Sequence, residues 1–118
     1  MSAPYVSFFE EIEEKGYHFS SVLLKLSNSL IVFFYEGVEM KLGTLAVALP
    51  QFNERTSISS ILLGERNMNL TKILAERFSN SFQGVVLVST HLAEVREIEV
   101  SSILFKLTQK LFAKIGLN

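Results

Sequence analysis

Short blocks of β-branched, aromatic and leucine residues fill the first half of the chain, and the second half repeats apolar residues at helical spacing. Strands are therefore predicted first and helices later. Two apolar runs, 17–26 and 30–35, flank Ser27-Asn28-Ser29, whose turn chemistry predicts a hairpin. After a turn at 36–39 a third strand spans 42–49 and stops at Pro50, which has no N–H for a ladder. A polar loop over 51–56 leads to a fourth strand, 57–63, closed by Gly64. The period then changes. Leu70, Ile73, Leu74, Phe78 and Phe82 mark a helix, with Asn69 as candidate N-cap and Gly84 at its end. Residues 85–88 form a short strand apolar on both faces, and 91–97 a polar connection. Val100, Ile103, Leu104, Leu107, Leu111 and Ile115 are the stripe of a terminal helix, with Lys106, Lys110 and Lys114 towards its C-terminal end.

The first segment satisfies both periods. Tyr5, Phe8, Phe9 and Ile12 fall at i, i+3, i+4 and i+7, as in a short amphipathic helix ending at Gly16, yet Tyr5-Val6-Ser7-Phe8 also reads as strand. Residues 1–16 are therefore set apart from a single α+β domain over 17–118. Its order is (α/β)-β-β-β-β-α-β-α: an antiparallel sheet, made of a four-strand meander and a later strand, flanked by two main helices.

Successive strand residues point to opposite faces, so Leu30, Val32 and Phe34 oppose Ile31, Phe33 and Tyr35, and both sets are apolar. The same holds for Leu45, Val47 and Leu49 against Thr44, Ala46 and Ala48. Two helices cover one face of a sheet of about five strands, roughly 24 Å by 20 Å. The other face, on the order of 500 Å², lies near the upper end of the ~300–600 Å² typical of the largest apolar patch on a monomer. Ile31, Phe33, Tyr35, Leu45, Val47 and Leu49 are thus the expected partner interface. The competing expectation is that the N-terminal segment folds across this face.

Composition adds weight to that excess: hydrophobic residues are 48% of the chain. No apolar run approaches the roughly 18–20 residues of a membrane span, so no membrane role is expected. The first residues lack the basic and apolar regions of a signal peptide, and Glu10, Glu11, Glu13 and Glu14 argue against a transit peptide; the chain is expected to stay inside the cell. Eleven Lys and Arg against twelve acidic residues leave a net charge of -1, with no surplus to attract a phosphate backbone, so nucleic acid is not an expected partner.

Catalytic chemistry has little to work with. Cysteine and aspartate are absent, and the two histidines, His18 and His91, lack metal-ligand spacing. There is no G-x-S-x-G elbow, and the glycines at 37, 43, 64 and 84 are isolated, so neither a phosphate loop nor a dinucleotide fingerprint can be built. No enzyme activity, metal or cofactor is expected. The Glu10-Glu11-Glu13-Glu14 run reads as a solvated face or a flexible leader.

In order and spacing, Leu26-Ser27-Asn28-Ser29-Leu30, Leu42-Gly43-Thr44-Leu45-Ala46-Val47-Ala48-Leu49 and Thr56-Ser57-Ile58-Ser59-Ser60-Ile61-Leu62-Leu63-Gly64 resemble the small eukaryotic 20S proteasome assembly chaperones, the proteasome assembly chaperone 4 family in particular. Leu74-Ala75-Glu76-Arg77-Phe78 and Val85-Val86-Leu87-Val88-Ser89 extend the resemblance over most of the chain after His18. It implies an antiparallel sheet flanked by helices, a heterodimer with a proteasome assembly chaperone 3-like partner, and transient binding to proteasome α-subunits, alpha-5 above all, during α-ring assembly. A contact that must be released is expected to be smaller or more polar than a permanent one, and Lys41, Arg55, Glu65 and Arg66, all in loops, are the candidates for it. The alternative class is a roadblock- or longin-like scaffold of a trafficking or signalling complex. Four strands before the first strong helix fit the chaperone reading better.

Overall fold

The computed structural model describes residues 3–52, 56–93 and 97–118, apart from the side chain of Glu97. Six strands, β1 (Val6–Glu14), β2 (Tyr17–Lys25), β3 (Ser29–Glu36), β4 (Thr44–Pro50), β5 (Ser57–Leu63) and β6 (Val85–His91), and two helices, α1 (Met68–Phe82) and α2 (Glu97–Ile115), make an α+β fold of the expected class. The sheet order is β1-β2-β3-β6-β4-β5, antiparallel except for the β3–β6 pair.

The lateral order differs from a simple meander. β3 and β4 do not pair; β6 lies between them, with Val32 beside Val88 on one flank and Ala46 beside Val88 on the other. A strand in the middle of the sheet is paired on both edges and flanked by apolar strands, which is what the uninterrupted run Val85-Val86-Leu87-Val88 suits.

Residues 6–14 take the strand alternative. Lys15 and Gly16 have φ of 52° and 82°, so they form a two-residue turn with both central residues left-handed, the geometry that matches the twist of the flanking strands. Glu14 then faces Tyr17, and the ladder runs back to Val6 opposite Lys25. Alternation splits the glutamate run, which is only in part a solvated face. Glu10 and Glu14 turn towards α2, where Lys114 and Lys106 approach their carboxylates to 2.7 and 2.6 Å. Glu11 and Glu13 turn the other way.

The Lys106 Nζ–H hydrogen bond, aided by the positive charges of Lys106 and Lys15, holds the Glu14 carboxyl below the usual range. Since the folded-state value is the lower one, this contact contributes fully above the unfolded-state value and is lost as pH falls through the folded one. Lys106→Gln is therefore expected to lower the melting temperature slightly at neutral pH and not at all in strong acid. Thermal melts of both proteins across the acidic range check this.

Both helices pack on one face. α1 lies over β4, β5 and β6, and α2 over β1 and β2. The core between the layers takes Phe19 and Leu23 from β2, Leu30, Val32 and Phe34 from β3, Val86 and Val88 from β6, and Leu74, Phe78, Leu104, Leu107 and Leu111 from the helices, all fully buried. Ala46 and Ala48, also fully buried, give α1 room to approach β4. Phe78 ties the layers together: its ring centroid is 6.3 Å from that of Phe34 and 4.9 Å, edge-on, from that of Phe112.

The helix entry departs from the expectation at Asn69. α1 starts two residues earlier, and its cap position is Asn67, left-handed at φ 58° with no side-chain cap bond; its carbonyl accepts from the N–H and the hydroxyl of Thr71 instead. At the other end Gln83, not Gly84, is the left-handed residue, at φ 61°.

Gly43 stands at the entrance to β4, where its N–H donates to Ser89 Oγ at 2.9 Å. A Cβ there would sit 2.0 Å from the carbonyl oxygen of Thr90. Backbone cannot move aside as a side-chain tip can. Gly43→Ala should therefore push β4 off β6 and cost about 1–3 kcal/mol, read as a lower urea midpoint.

Candidate interaction surface

Because both helices occupy one layer, the second face of the sheet is uncovered. Register identifies its residues: Phe9 pairs with Val22, Val22 with Phe33, Leu24 with Ile31, Ile31 with Leu87, and Leu87 with Val47. Leu49 and Ile58 continue it to the β5 edge. The inner strands are half-buried by their neighbours in the sheet, and exposure rises at the β4–β5 side to 41% for Leu49 and 53% for Ile58. β1 is an edge strand and does not roof this face.

Of the six residues expected there, Ile31, Phe33, Leu45, Val47 and Leu49 form a contiguous apolar surface. Tyr35 is on the same side but only 5% exposed. It sits between Ser20 and His91 at the end of β3, where the chain folds back as the Gly37 N–H donates to the His18 carbonyl and the Ser20 hydroxyl to the Gly37 carbonyl. Tyr35 therefore offers a partner little surface.

Val22, Leu24, Ile58 and Leu87 belong to the face as well. Alternation within β2 and β5 could have found three of them. Leu87 needed the position of β6.

The polar loops meet at one end of the sheet. Lys41, paired with Glu39 at 3.3 Å, lies in the β3–β4 connection, and Glu65 and Arg66 lie between β5 and α1. Two shallow depressions, one bordered by Lys41 and the other by Glu65 and Arg66, share His91 and Ala93. The Arg66 carbonyl accepts from the Thr44 hydroxyl at 2.6 Å, anchoring the second loop to β4. Arg55 lies outside the described residues. Among the described residues no three acidic or histidine side chains gather as a metal site, and no helix is long and apolar enough to cross a membrane.

No family model and no curated protein matches the chain. Among solved structures it is similar to a chain from the crystal structure of a novel chaperone complex for yeast 20S proteasome assembly. The TM-score is 0.64 over 96% of this chain and 93% of that chain, at 12% sequence identity. At that identity the likeness is one of fold, and it extends over nearly the whole chain.

Proposed function

We propose that this chain is a non-enzymatic assembly chaperone of the 20S proteasome that works as one half of a heterodimer. The reading is carried by the uncovered apolar face, on a fold shared almost end to end with a chain of a proteasome-assembly chaperone complex. Six strands about 4.8 Å apart and some seven residues long present roughly 29 Å by 23 Å, on the order of 650 Å². That approaches the about 800 Å² per partner of standard protein interfaces. A related small chaperone, of the proteasome assembly chaperone 3 kind, closes this face with its own sheet, giving two sheets packed front to front with helices outside.

The polar end around Lys41, Glu65 and Arg66 then contacts proteasome α-subunits, alpha-5 among them. Exposed ion pairs and charged loops add little standing affinity and suit a contact that is released when the α-ring is complete. The same reading places the protein where proteasomes assemble, in the cytoplasm and the nucleus.

Co-expression of the full chain with a candidate partner chaperone and an α-type subunit tests the proposal. A one-to-one chaperone pair that retains the α-subunit is the expected result. A chain that stays monomeric beside every small chaperone offered, or that is recovered with a GTPase or coat complex, would overturn it and favour the scaffold reading.

A further inference from the structure

A second surface lies on the opposite layer and is used by neither contact above. Between α1 and α2 lies a groove lined by Leu70, Ile73, Ile98, Ser101 and Phe105. Ile98 is 85% and Ile73 51% exposed, so one large aliphatic side chain stands in water on each wall. Arg77 borders the groove. It lies one turn beyond Ile73 on α1, and its guanidinium carbon is 5.7 Å from the ring centroid of Phe105, which lines the groove, and 5.9 Å from that of Phe112.

The guanidinium lies over two rings, and no carboxylate among the described residues is within ion-pair reach of it. The nearest acidic side chain along α1, Glu76, is engaged by the Ser59 hydroxyl, and Glu99 on α2 accepts from Tyr17. An apolar trough between two helices, with an arginine at its margin that has no ion-pair partner among the described residues, matches helix-in-groove recognition: apolar side chains at i and i+3 or i+4 enter the trough, and a carboxylate meets the guanidinium.

We infer that the α1–α2 groove docks an amphipathic helix of a protein partner, one that carries a carboxylate beside its apolar stripe and pairs that carboxylate with Arg77. The site faces away from the open sheet. It therefore stays available while that face is closed, and it gives the chain a binding surface that does not compete with pairing.

The probe is a labelled sixteen-residue helical peptide with leucines at i, i+3 and i+7 flanked by glutamates, compared with the same peptide carrying lysines at those flanks. Binding to the full chain is followed by fluorescence anisotropy, and the site by amide chemical-shift changes. The glutamate peptide should bind at least about tenfold more tightly than the lysine peptide, with shifts centred on Ile73, Ile98 and Phe105. Arg77→Gln should remove that preference. Ile98→Glu, at a position too exposed to disturb folding, should abolish binding of both peptides.

Equal binding of the two peptides, an Arg77→Gln chain that keeps the preference, or shifts confined to the open sheet face would overturn the inference. So would sedimentation showing that Ile98→Glu dissociates a dimer of this chain, since the groove would then belong to a second copy. Failure here leaves heterodimer formation intact, so it is distinguishable from failure of the chaperone reading.

Discussion

Under the proposed pairing, a chain carrying Phe33→Glu is expected to remain folded and monomeric beside a partner chaperone, with an affinity loss of at least about 100-fold. Phe33 lies near the middle of the open face, between Val22 of β2 and Ser89 of β6, and is partly exposed in the free chain. A glutamate there stays hydrated while the chain is alone, so the folding cost is limited to strand propensity and lost lateral contact, about 1 kcal/mol. Closing a second sheet over it would bury a carboxylate with no counter-charge built to receive it, at about 3–5 kcal/mol. At 1.4 kcal/mol per tenfold, that penalty is at least two orders of magnitude in affinity. Size-exclusion chromatography with light scattering on the co-expressed pair reads the result, and circular dichroism confirms the fold. Phe33→Leu, which keeps the apolar surface, should still pair. A Phe33→Glu chain that co-elutes with its partner at normal yield would remove Phe33 from the interface.

Phe78→Ala should act on the fold itself. The ring is fully buried, touches the sheet through Phe34 and the second helix through Phe112, and so is where three elements share one contact. Truncation leaves a cavity bounded by a strand and two helices, none of which can collapse without breaking its own packing. A loss of about 3–5 kcal/mol follows, against about 5–15 kcal/mol for the whole stability of a domain this size. The melting temperature should fall by on the order of 10–20 °C. Phe78→Leu, which fills much of the volume, should cost less than half as much in the same experiment.

The sequence was most legible where one periodicity excluded the other. The stripes Leu70-Leu74-Phe78 and Val100-Leu104-Leu107-Leu111 are incompatible with a strand, and both became helices with those residues inside. Alternation in β3 and β4 likewise separated the covered face from the open one, because a one-residue step reverses a strand side chain. Residues 6–14 were ambiguous for a physical reason. Phe8 and Ile12 share a side in either conformation, and what selects the strand lies elsewhere: the left-handed Lys15-Gly16 turn and the lysines of α2, distant in sequence, that receive Glu10 and Glu14.

Lateral order was hidden too. Hydrophobic pattern reports how deeply a strand is buried and is silent about its neighbours, so the apolar run 85–88 pointed to a central strand without placing it between β3 and β4. Arg77 was invisible as a recognition residue because Phe105 and Ile98 come from a helix whose start reads as polar connection. Only the folded chain brings that side chain to their groove.

The placement of β6 has a consequence for biosynthesis. When residues 6–63 have left the ribosome, the nascent chain holds two separate β ribbons, β1-β2-β3 and β4-β5, each with an unsatisfied inner border, and the strand that welds them is still inside the exit tunnel or just emerging. Non-local pairing of this sort is slow and leaves apolar ribbons open to wrong partners. That window closes when β6 inserts, and if the chain pairs as proposed, a partner sheet made nearby could cover the completed apolar face from that moment.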